Sequence, residues 1–480
     1  MLEQLATISN ELLLTLLAFT VFSISLVSLK KTDGKAEVLV TAGGLLALLV
    51  LSFAGTMPHR AAFGDVYVTG PVAAIFKRLF LAAGILMALL SWPGKRKTDV
   101  APFHHLGEYL GLLLLSIIGM CFLVSAMELA LLYVGLELVT IPLILLVAIN
   151  RHELRSAEAG MKYVLFSAMS SGLLLYGLSL VYGMAGTLSL AGIAAKLTWT
   201  PLTVMALALV MGGVGFKISA VPFHLWTPDT YEGAPVPVTA FLSVASKAAG
   251  FALFYKVVAG LFGVLGPSVV VMVSILATLT MTFGNLVALQ QTNLKRFLAF
   301  SSIAQAGFLM IGLVHGGPLG LTSVVFYLAV YLFSNLAAFG VVTVVSAATG
   351  KEDMRDYLGL SESNPKLALV MMLAMFSLAG IPPLAGFLGK FYLFAAAAEK
   401  GMYWLVFVGA VNATISLYYY LIVIKWMYLL KAAEGRQRIE PIEVSWASWV
   451  VLGVSTVAMI VIGILPQFIH WAEVAASSGF

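Results

Sequence analysis

The chain has 480 residues, of which 61% are hydrophobic and only 10% are charged. A soluble domain carries about a quarter charged residues, so a chain this apolar cannot cover a water-facing surface. Its net charge of +5 does not indicate nucleic-acid binding. A membrane β-barrel is excluded as well, because the apolar runs are continuous and do not alternate with a period of two.

At about 20 apolar residues per crossing, this length allows roughly 13 to 15 transmembrane helices. The sequence predicts an all-α polytopic membrane protein with about 14 transmembrane helices and no plausible strands. No linker between the apolar stretches is long enough to suggest a second domain. The apolar stretches run approximately over 9–29, 38–55, 71–91, 108–126, 127–149, 156–184, 201–223, 236–260, 267–290, 294–314, 319–348, 366–398, 402–431 and 446–467.

Cys121 is the only cysteine. This excludes a disulfide framework and an iron–sulfur cluster held by this chain alone. No glycine-rich dinucleotide motif follows a strand either. We therefore expect no cofactor and no metal in this chain.

Basic residues fall mostly on one side of this arrangement of spans, which predicts that this side is the inner one. Both termini are then expected outside, in the periplasm if the cell is Gram-negative. The inner loops contain Lys30, Lys31, Lys35, Lys95, Arg96, Lys97, Arg151, Arg155, Lys295, Arg296, Lys351, Arg355, Lys366, Lys431, Arg436 and Arg438. The outer side has Arg60, Lys196 and Lys400, with Lys77 and Arg78 added if the third span begins late.

Four ionisable residues lie far from either end of a predicted span: Glu137, Lys217, Lys247 and Lys390. Each would cost at least ~2.5 kcal/mol in hydrocarbon, so each should face protein or water and have a partner. A desolvated lysine exchanges protons near neutral pH, so these four residues indicate a proton path. The residues nearer span ends are more simply explained as structural pairs or snorkelling side chains; they are Lys162, Lys256, Lys425 and Glu128.

Two spans carry helix breakers close to these charges. Pro222 follows Lys217 in the seventh span, and Gly380, Pro382 and Pro383 precede Lys390 in the twelfth. Proline removes a backbone hydrogen bond and clashes with the preceding turn. Interrupted helices in corresponding halves of a chain are typical of inverted-repeat transporters with an ion path at mid-membrane.

Polar side chains at helical spacing connect the charged positions. Interhelical hydrogen bonding explains any one such stripe, but together they predict a hydrated chain from Glu137 to Lys390. His224, just beyond the first break, is a candidate relay between Lys217 and Lys247. The stripes comprise Tyr133, Glu137 and Thr140; Ser243 and Lys247; Ser302 and Gln305; Tyr327, Tyr331, Ser334 and Asn335; and Asn412 and Ser416.

The segment from Lys217 to Lys247, which contains KISAVPFHLWTPDTYEGAPVPVTAFLSVASK, closely resembles the subunit N family of bacterial NADH-quinone oxidoreductase, respiratory complex I. Residues 133–138, 156–163 and 379–390 resemble further motifs of that family. The resemblance covers most of residues 108–400, whereas the first hundred residues match only in hydropathy.

The resemblance implies an antiporter-like membrane-arm subunit with 14 helices and two inverted five-helix repeats, which contain the broken helices 7 and 12. The implied division is an N-terminal three-helix segment at 1–107, a first repeat at 108–260, a second at 261–431 and a last helix at 432–480. The family's proton-path glutamate and lysines fall on Glu137, Lys217, Lys247 and Lys390, with Glu137 paired to Lys217. Lys162 and His224 match further family positions of the path.

The implied function is proton translocation across the cell inner membrane, driven by electron transfer from NADH to quinone in other subunits. FMN, iron–sulfur clusters and quinone are expected in or at those subunits, and the expected partners are the other complex I subunits and membrane lipid. The alternatives are a subunit of a monovalent cation/proton antiporter, which shares these breaks and lysines, and a related membrane-bound hydrogenase.

Overall fold

The computed structural model of the chain describes residues 2–28, 34–54, 59–93, 106–150, 152–314, 316–430, 439–465 and 467–477. Within these ranges it contains thirteen helices that are long and apolar enough to cross a membrane. The chain is a multi-pass membrane protein, as its composition predicts. Nine of the loop cations used to predict the orientation lie outside the described residues: Lys30, Lys31, Lys95, Arg96, Lys97, Arg151, Lys431, Arg436 and Arg438.

The first half contains most of the shorter elements. In chain order they are α1 (Leu2–Thr7), α2 (Ser9–Ser28), α3 (Lys35–Ala54), β1 (Arg60–Ala62), β2 (Tyr67–Thr69), α4 (Pro71–Leu90), α5 (Leu106–Ser125), α6 (Leu129–Val147), α7 (Leu154–Ala185), α8 (Leu190–Ala194), α9 (Pro201–Ile218), α10 (Trp226–Gly233), α11 (Val236–Phe241) and α12 (Lys247–Tyr255). A π-helical turn (Leu242–Ser246) joins α11 to α12 and a second one (Lys256–Leu261) follows, so that Val236–Leu261 is one continuous span.

The second half contains α13 (Pro267–Ala288), α14 (Leu294–Leu313), α15 (Pro318–Thr349), α16 (Leu360–Ser363), α17 (Pro365–Ala379), α18 (Ala385–Glu399), α19 (Tyr403–Ile424), α20 (Trp446–Ile464) and α21 (Phe468–Ala476). Several spans in both halves start on proline, which has no backbone N–H to leave unpaired in the first helical turn. They are α4, α9, α13, α15 and α17.

Three spans form the centre of the molecule. Every residue of the Val236–Leu261 span from Val236 to Phe254 is buried, and nearly all of α14 and α15 are buried with it. The peripheral helices, such as α2, α3, α7 and α20, instead expose large apolar side chains. The central spans carry Lys247, Ser302, Gln305 and Tyr327, so their polar side chains must find partners inside the protein.

The structure corrects the sequence-based prediction at the segment before α4. The expectation of no strands is wrong, because β1 and β2 pair antiparallel in a hairpin between α3 and α4. Strands of three residues are too short to produce a detectable alternation. Lys77 and Arg78 are buried inside α4, which begins at Pro71, as the predicted span 71–91 implies, so the late start that would place them in an outer loop does not occur.

Candidate functional site

Helices are interrupted at the two proline-containing segments, first between α9 and α10 and then between α17 and α18. Helix α9 ends at Ile218, and α10 begins at Trp226. Between them, the left-handed Ser219 (φ 63°) ends α9, and the Thr227 hydroxyl donates to Ser219 Oγ at 2.8 Å. Trp226 Nε1 also donates to the Phe216 carbonyl at 3.0 Å, which ties the two half-helices together.

The second break separates α17 from α18 and resembles the first. Gly380 adopts φ 89°, a conformation that glycine reaches without strain. Its N–H donates to the Phe376 carbonyl at 3.0 Å. Pro382 and Pro383 follow it, and α18 begins at Ala385. Each break therefore leaves carbonyl groups at the end of a half-helix without helical partners.

Lys217 lies at the end of α9, one residue before its last, and is buried. Its ammonium donates to Thr140 Oγ1 on α6 at 2.9 Å. Glu137, one turn earlier on α6, is near enough to interact with Lys217 electrostatically, but it accepts its hydrogen bond from Ser171 Oγ at 2.5 Å. The expected direct Glu137–Lys217 pair is thus not formed in this structure, because each residue has a closer hydroxyl partner.

Glu137 is half-buried at the edge of the molecule. Val134 and Ile141, which share its side of α6, are 60% and 55% exposed. Tyr133 is within hydrogen-bond reach of the carboxylate. A carboxylate here needs these hydroxyl groups, because placing a charge against lipid is costly.

Lys247 is 2% exposed and begins α12 directly after the π-helical turn. Its ammonium donates to both the carbonyl and the hydroxyl of Ser302 on α14. Ser302 is within hydrogen-bond reach of Tyr331, whose hydroxyl accepts from Asn335. Asn335 also donates to Ser243 at 2.6 Å, so three sequence stripes meet around Lys247.

Lys390 lies on α18 and is buried beside the second break. It donates to the Ala379 carbonyl at 3.0 Å, and its ammonium lies 4.6 Å from the centre of the Phe308 ring. A cation at the carboxyl end of a helix interacts favourably with the helix dipole. Lys390 thus stabilises the end of α17 across the break.

Gln305 connects the surroundings of Lys247 with those of Lys390. It lies one turn after Ser302 on α14, and its amide donates to the Leu378 carbonyl at 3.0 Å, next to the Ala379 carbonyl that Lys390 binds. Tyr327 donates to the amide oxygen of Gln305. The buried side chains from Ser243 to Lys390 therefore form one nearly continuous polar region through the centre of the protein.

Two of the predicted residues lie away from this region. Lys162 pairs with Glu158 at 2.7 Å and with Asp229 at 2.8 Å, and its side chain is 38% exposed. His224 is buried, but its ring packs edge-on against Phe283 on α13, and its Nδ1 has no hydrogen-bond partner among the described residues. The structure does not bring either residue into hydrogen-bond contact with Lys217 or Lys247.

Sequence reasoning missed several residues of the site. Ser171 binds Glu137, and Tyr420 receives a hydrogen bond from Gln305 at 3.2 Å. Asp229 binds Arg296 at 2.7 Å in addition to Lys162. Asp229 is an acidic residue in a segment with several prolines and glycines, and this placement could have indicated its contact with Arg296. Nothing in the sequence distinguishes Ser171 or Tyr420 from the many other serines and tyrosines of the spans. Among the described residues, no group of three or more His, Cys, Asp or Glu side chains is arranged to hold a metal ion.

Comparisons with known proteins agree with this arrangement. A family model described as "NADH:quinone oxidoreductase/Mrp antiporter, TM" matches residues 126–416. NADH-quinone oxidoreductase subunit N of Heliobacterium modesticaldum is 41% identical over 475 residues, 98% of this chain and 99% of the relative. The protein of the same name from Phocaeicola vulgatus is 47% identical over 369 residues, 76% of this chain and 78% of the relative.

Solved structures show the same fold. A chain of respiratory complex I from Thermus thermophilus with bound aureothin superimposes with a TM-score of 0.80 at 29% identity, and the match covers 96% of this chain and 98% of that one. A chain of the Mrp complex from Dietzia superimposes with a TM-score of 0.84 at 21% identity, covering 100% and 97%. At that identity it shows the fold alone. The family resemblance expected from residues 108–400 is confirmed, and the chain belongs to the subunit N family of NADH-quinone oxidoreductase.

Proposed function

We propose that this chain is the proton-translocating, non-redox membrane-arm subunit of an NADH-quinone oxidoreductase. Electrons pass from NADH to quinone through FMN and iron–sulfur centres in other subunits, and this subunit moves protons in response. The observation that carries the proposal is that Ser302, which binds Lys247, lies one turn from Gln305 on α14, and Gln305 binds the carbonyl next to the one that Lys390 binds. Buried ionisable residues inside membrane helices mark proton relays.

In this proposal a charge change at the neighbouring subunit acts first on Glu137, which lies at the edge of the protein. A unit charge brought within about 8 Å changes a free energy by about 2 kcal/mol at an effective dielectric constant near 20. A change of about 1.4 kcal/mol already shifts proton occupancy tenfold. The change therefore alters the protonation of Lys217, and the proton passes through Lys247 to Lys390 and out.

The remaining assignments belong to the same proposal. The protein lies in the cell inner membrane with both termini on the outer side and holds no cofactor of its own. Its partners are the other complex I subunits and membrane lipid.

Residues 108–260 and 261–431 form two inverted repeats, between an N-terminal segment at 1–107 and a last helix at 432–480. Glu137, Lys217, Lys247 and Lys390 carry the proton, and Pro222, Gly380, Pro382 and Pro383 interrupt the helices around it. In this proposal Lys162 and His224 make no direct contact with the path.

The alternative functions receive less support. Relatives matching nine-tenths or more of this chain carry the subunit N name, whereas the likeness to the Mrp complex and to the archaeal sulfane sulfur reductase lies at 21% and 24% identity and concerns the fold. An antiporter subunit would exchange protons for a monovalent cation in the absence of NADH. Co-purification with flavin and iron–sulfur subunits separates these functions directly.

The test uses the assembled complex in proteoliposomes, with NADH oxidation and internal acidification recorded together. We expect Lys217→Ala and Glu137→Ala to lower both the coupled oxidation rate and the protons moved per NADH, while complex content stays normal. Lys425→Ala is the matched control, because Lys425 is an exposed lysine at the end of α19. Full pumping in the two variants at normal complex content would refute the proposal.

A further inference from the structure

A second cluster of buried charges lies outside the Glu137–Lys390 line, in the N-terminal part of the chain. Glu11 on α2 and Lys77 on α4 form an ion pair of 2.8 Å, and both side chains are at most 5% exposed. Tyr67, on β2 of the hairpin, donates to the same carboxylate at 2.7 Å and accepts from Lys77 at 2.6 Å. This Glu11–Tyr67–Lys77 cluster joins three elements of a region that the family motifs do not cover.

The Glu11 carboxylate is only half satisfied. Both Tyr67 and Lys77 bind its Oε1 atom, while Oε2 is buried and has no hydrogen-bond partner among the described residues. Leaving a buried polar atom unpaired costs about 1–3 kcal/mol, and more for a charged group. A proton or a water molecule at Oε2 removes that cost. The geometry therefore leaves one oxygen of a buried carboxylate open to a proton.

The cluster adjoins the central span of the protein. Lys256, near the end of the Val236–Leu261 span, donates to the carbonyls of Val124 and Ala126 at 2.6 Å each. Ala126 pairs with Tyr67 in a backbone bridge, and Lys256 is close enough to Lys77 to interact with it electrostatically. Lys256 thus lies between the cluster and the interior of the span.

The same span also carries Lys247 of the central polar region. Lys247 and Lys256 are nine positions apart in the sequence, which is about 14 Å along a helix. The two lysines point to different neighbours, Lys247 to α14 and Lys256 to the end of α5. In the predicted orientation, the ends of α5 and of this span and the hairpin all lie at the outer face.

We propose that the Glu11–Tyr67–Lys77 cluster is a proton-binding site and that, with Lys256, it forms a second outlet from Lys247 to the outer face. The proposal rests on the proposed function. An N–H bond of the Lys77 ammonium breaks as an O–H bond forms on Glu11 Oε1, the oxygen that Lys77 contacts, which leaves both groups neutral. The Glu11 proton then passes to water at the outer face, and Lys77 regains a proton from Lys256, which is resupplied from Lys247 through water. No electrons are transferred.

A purely structural ion pair is the competing explanation, and it makes a different prediction. Replacing both members of a buried ion pair by neutral groups is often neutral or stabilising, so a structural pair is dispensable for transport. The test therefore compares Glu11→Gln with the double variant Glu11→Gln/Lys77→Met in the full complex. Glu128→Gln is the control, because Glu128 is a half-buried carboxylate in the next loop of the same face and makes no side-chain cap.

Proteoliposomes containing each complex are supplied with NADH and quinone, and the protons moved per NADH are measured. We expect this ratio to fall in both Glu11 variants, at normal complex content, and to stay at the wild-type value in Glu128→Gln.

The outcomes separate this inference from the proposed function. A wild-type ratio in the double variant overturns the outlet, and so does failure of both Glu11 variants to assemble, since the cluster then serves folding. If Lys217→Ala also pumps normally, the proposed function itself fails. A loss in Lys217→Ala with a normal ratio in the Glu11 variants removes only the outlet.

Discussion

Lys390 and Ala379 lie on opposite sides of the second helix break and are joined by a hydrogen bond of 3.0 Å from the ammonium to the carbonyl. The break exposes carbonyl groups that α17 can no longer satisfy, and the lysine of α18 binds one of them. The protonation of Lys390 is therefore coupled to the geometry of the break. A proton that leaves this lysine weakens a contact between two half-helices.

This coupling predicts a selective effect of a methyl group at Gly380. A Cβ atom there would lie 3.1 Å from Lys390 Cδ, and the backbone has φ 89°. Alanine in a left-handed conformation costs roughly 1–2 kcal/mol. We expect Gly380→Ala both to destabilise the protein and to lower proton pumping, because Lys390 must move.

Gly401→Ala is the control for that experiment. Gly401 has φ 73°, but a Cβ atom there would meet nothing within 4 Å. The two variants should show similar losses in the temperature at which the complex inactivates, and only Gly380→Ala should pump less. Equal pumping by both would show that the position of Lys390 does not depend on the break.

Thr140 provides a second test, because it is the direct partner of Lys217. Thr140→Val keeps the shape but removes the acceptor of the ammonium. A hydrogen bond to a charged group is worth about 1.5–3 kcal/mol, which corresponds to roughly ten- to hundredfold in the rate of the affected step. We expect slower NADH-driven acidification in Thr140→Val and recovery in Thr140→Ser.

The matched control is Thr343→Val. Thr343 is also buried in a span and donates to the carbonyl four residues earlier at 2.7 Å, as Thr140 does. It has no charged partner among the described contacts. Comparable slowing in Thr343→Val would mean that the loss of the helical hydrogen bond, and not the contact with Lys217, is responsible.

Tyr327 tests the connection between the surroundings of Lys247 and those of Lys390. Tyr327→Phe leaves the Gln305 amide oxygen without its donor. An unsatisfied buried acceptor costs about 1–3 kcal/mol. We expect fewer protons moved per NADH at normal complex content. Tyr357→Phe should have no effect, because the buried Tyr357 hydroxyl has no hydrogen-bond partner among the described residues.

The sequence predicts which residues are charged and buried better than it predicts their partners. Lys217, Lys247 and Lys390 stand out because lysine is rare in apolar spans, and the prolines mark the breaks nearby. The partners depend on which helices are neighbours and how far a flexible side chain reaches. Thr140 therefore takes the place expected for Glu137, since both lie on one face of α6 a turn apart.

The position of a residue along a predicted span indicates its burial less well than its tertiary contacts do. Lys77 lies only six residues after the start of α4, near the predicted end of a span, yet contacts with the hairpin and α2 leave its side chain only 5% exposed. The hairpin itself consists of two three-residue strands and has no sequence period. Contacts between the N-terminal helices and the end of α12 come from tertiary packing, which periodicity in one segment cannot reveal.

Lys162 gives the final test, because the family motif and the geometry disagree about it. The motif assigns it to the proton path, but its ammonium binds Glu158 and Asp229 at a partly exposed site. Such pairs contribute about 0–1 kcal/mol and are screened by salt. We expect Lys162→Ala to pump at close to the wild-type rate and Asp229→Asn to behave similarly, in the assay that shows a clear loss for Lys217→Ala. A loss in Lys162→Ala as large as that in Lys217→Ala, at both low and high ionic strength, would return Lys162 to the path, because screening by salt does not reach a proton carrier inside the protein.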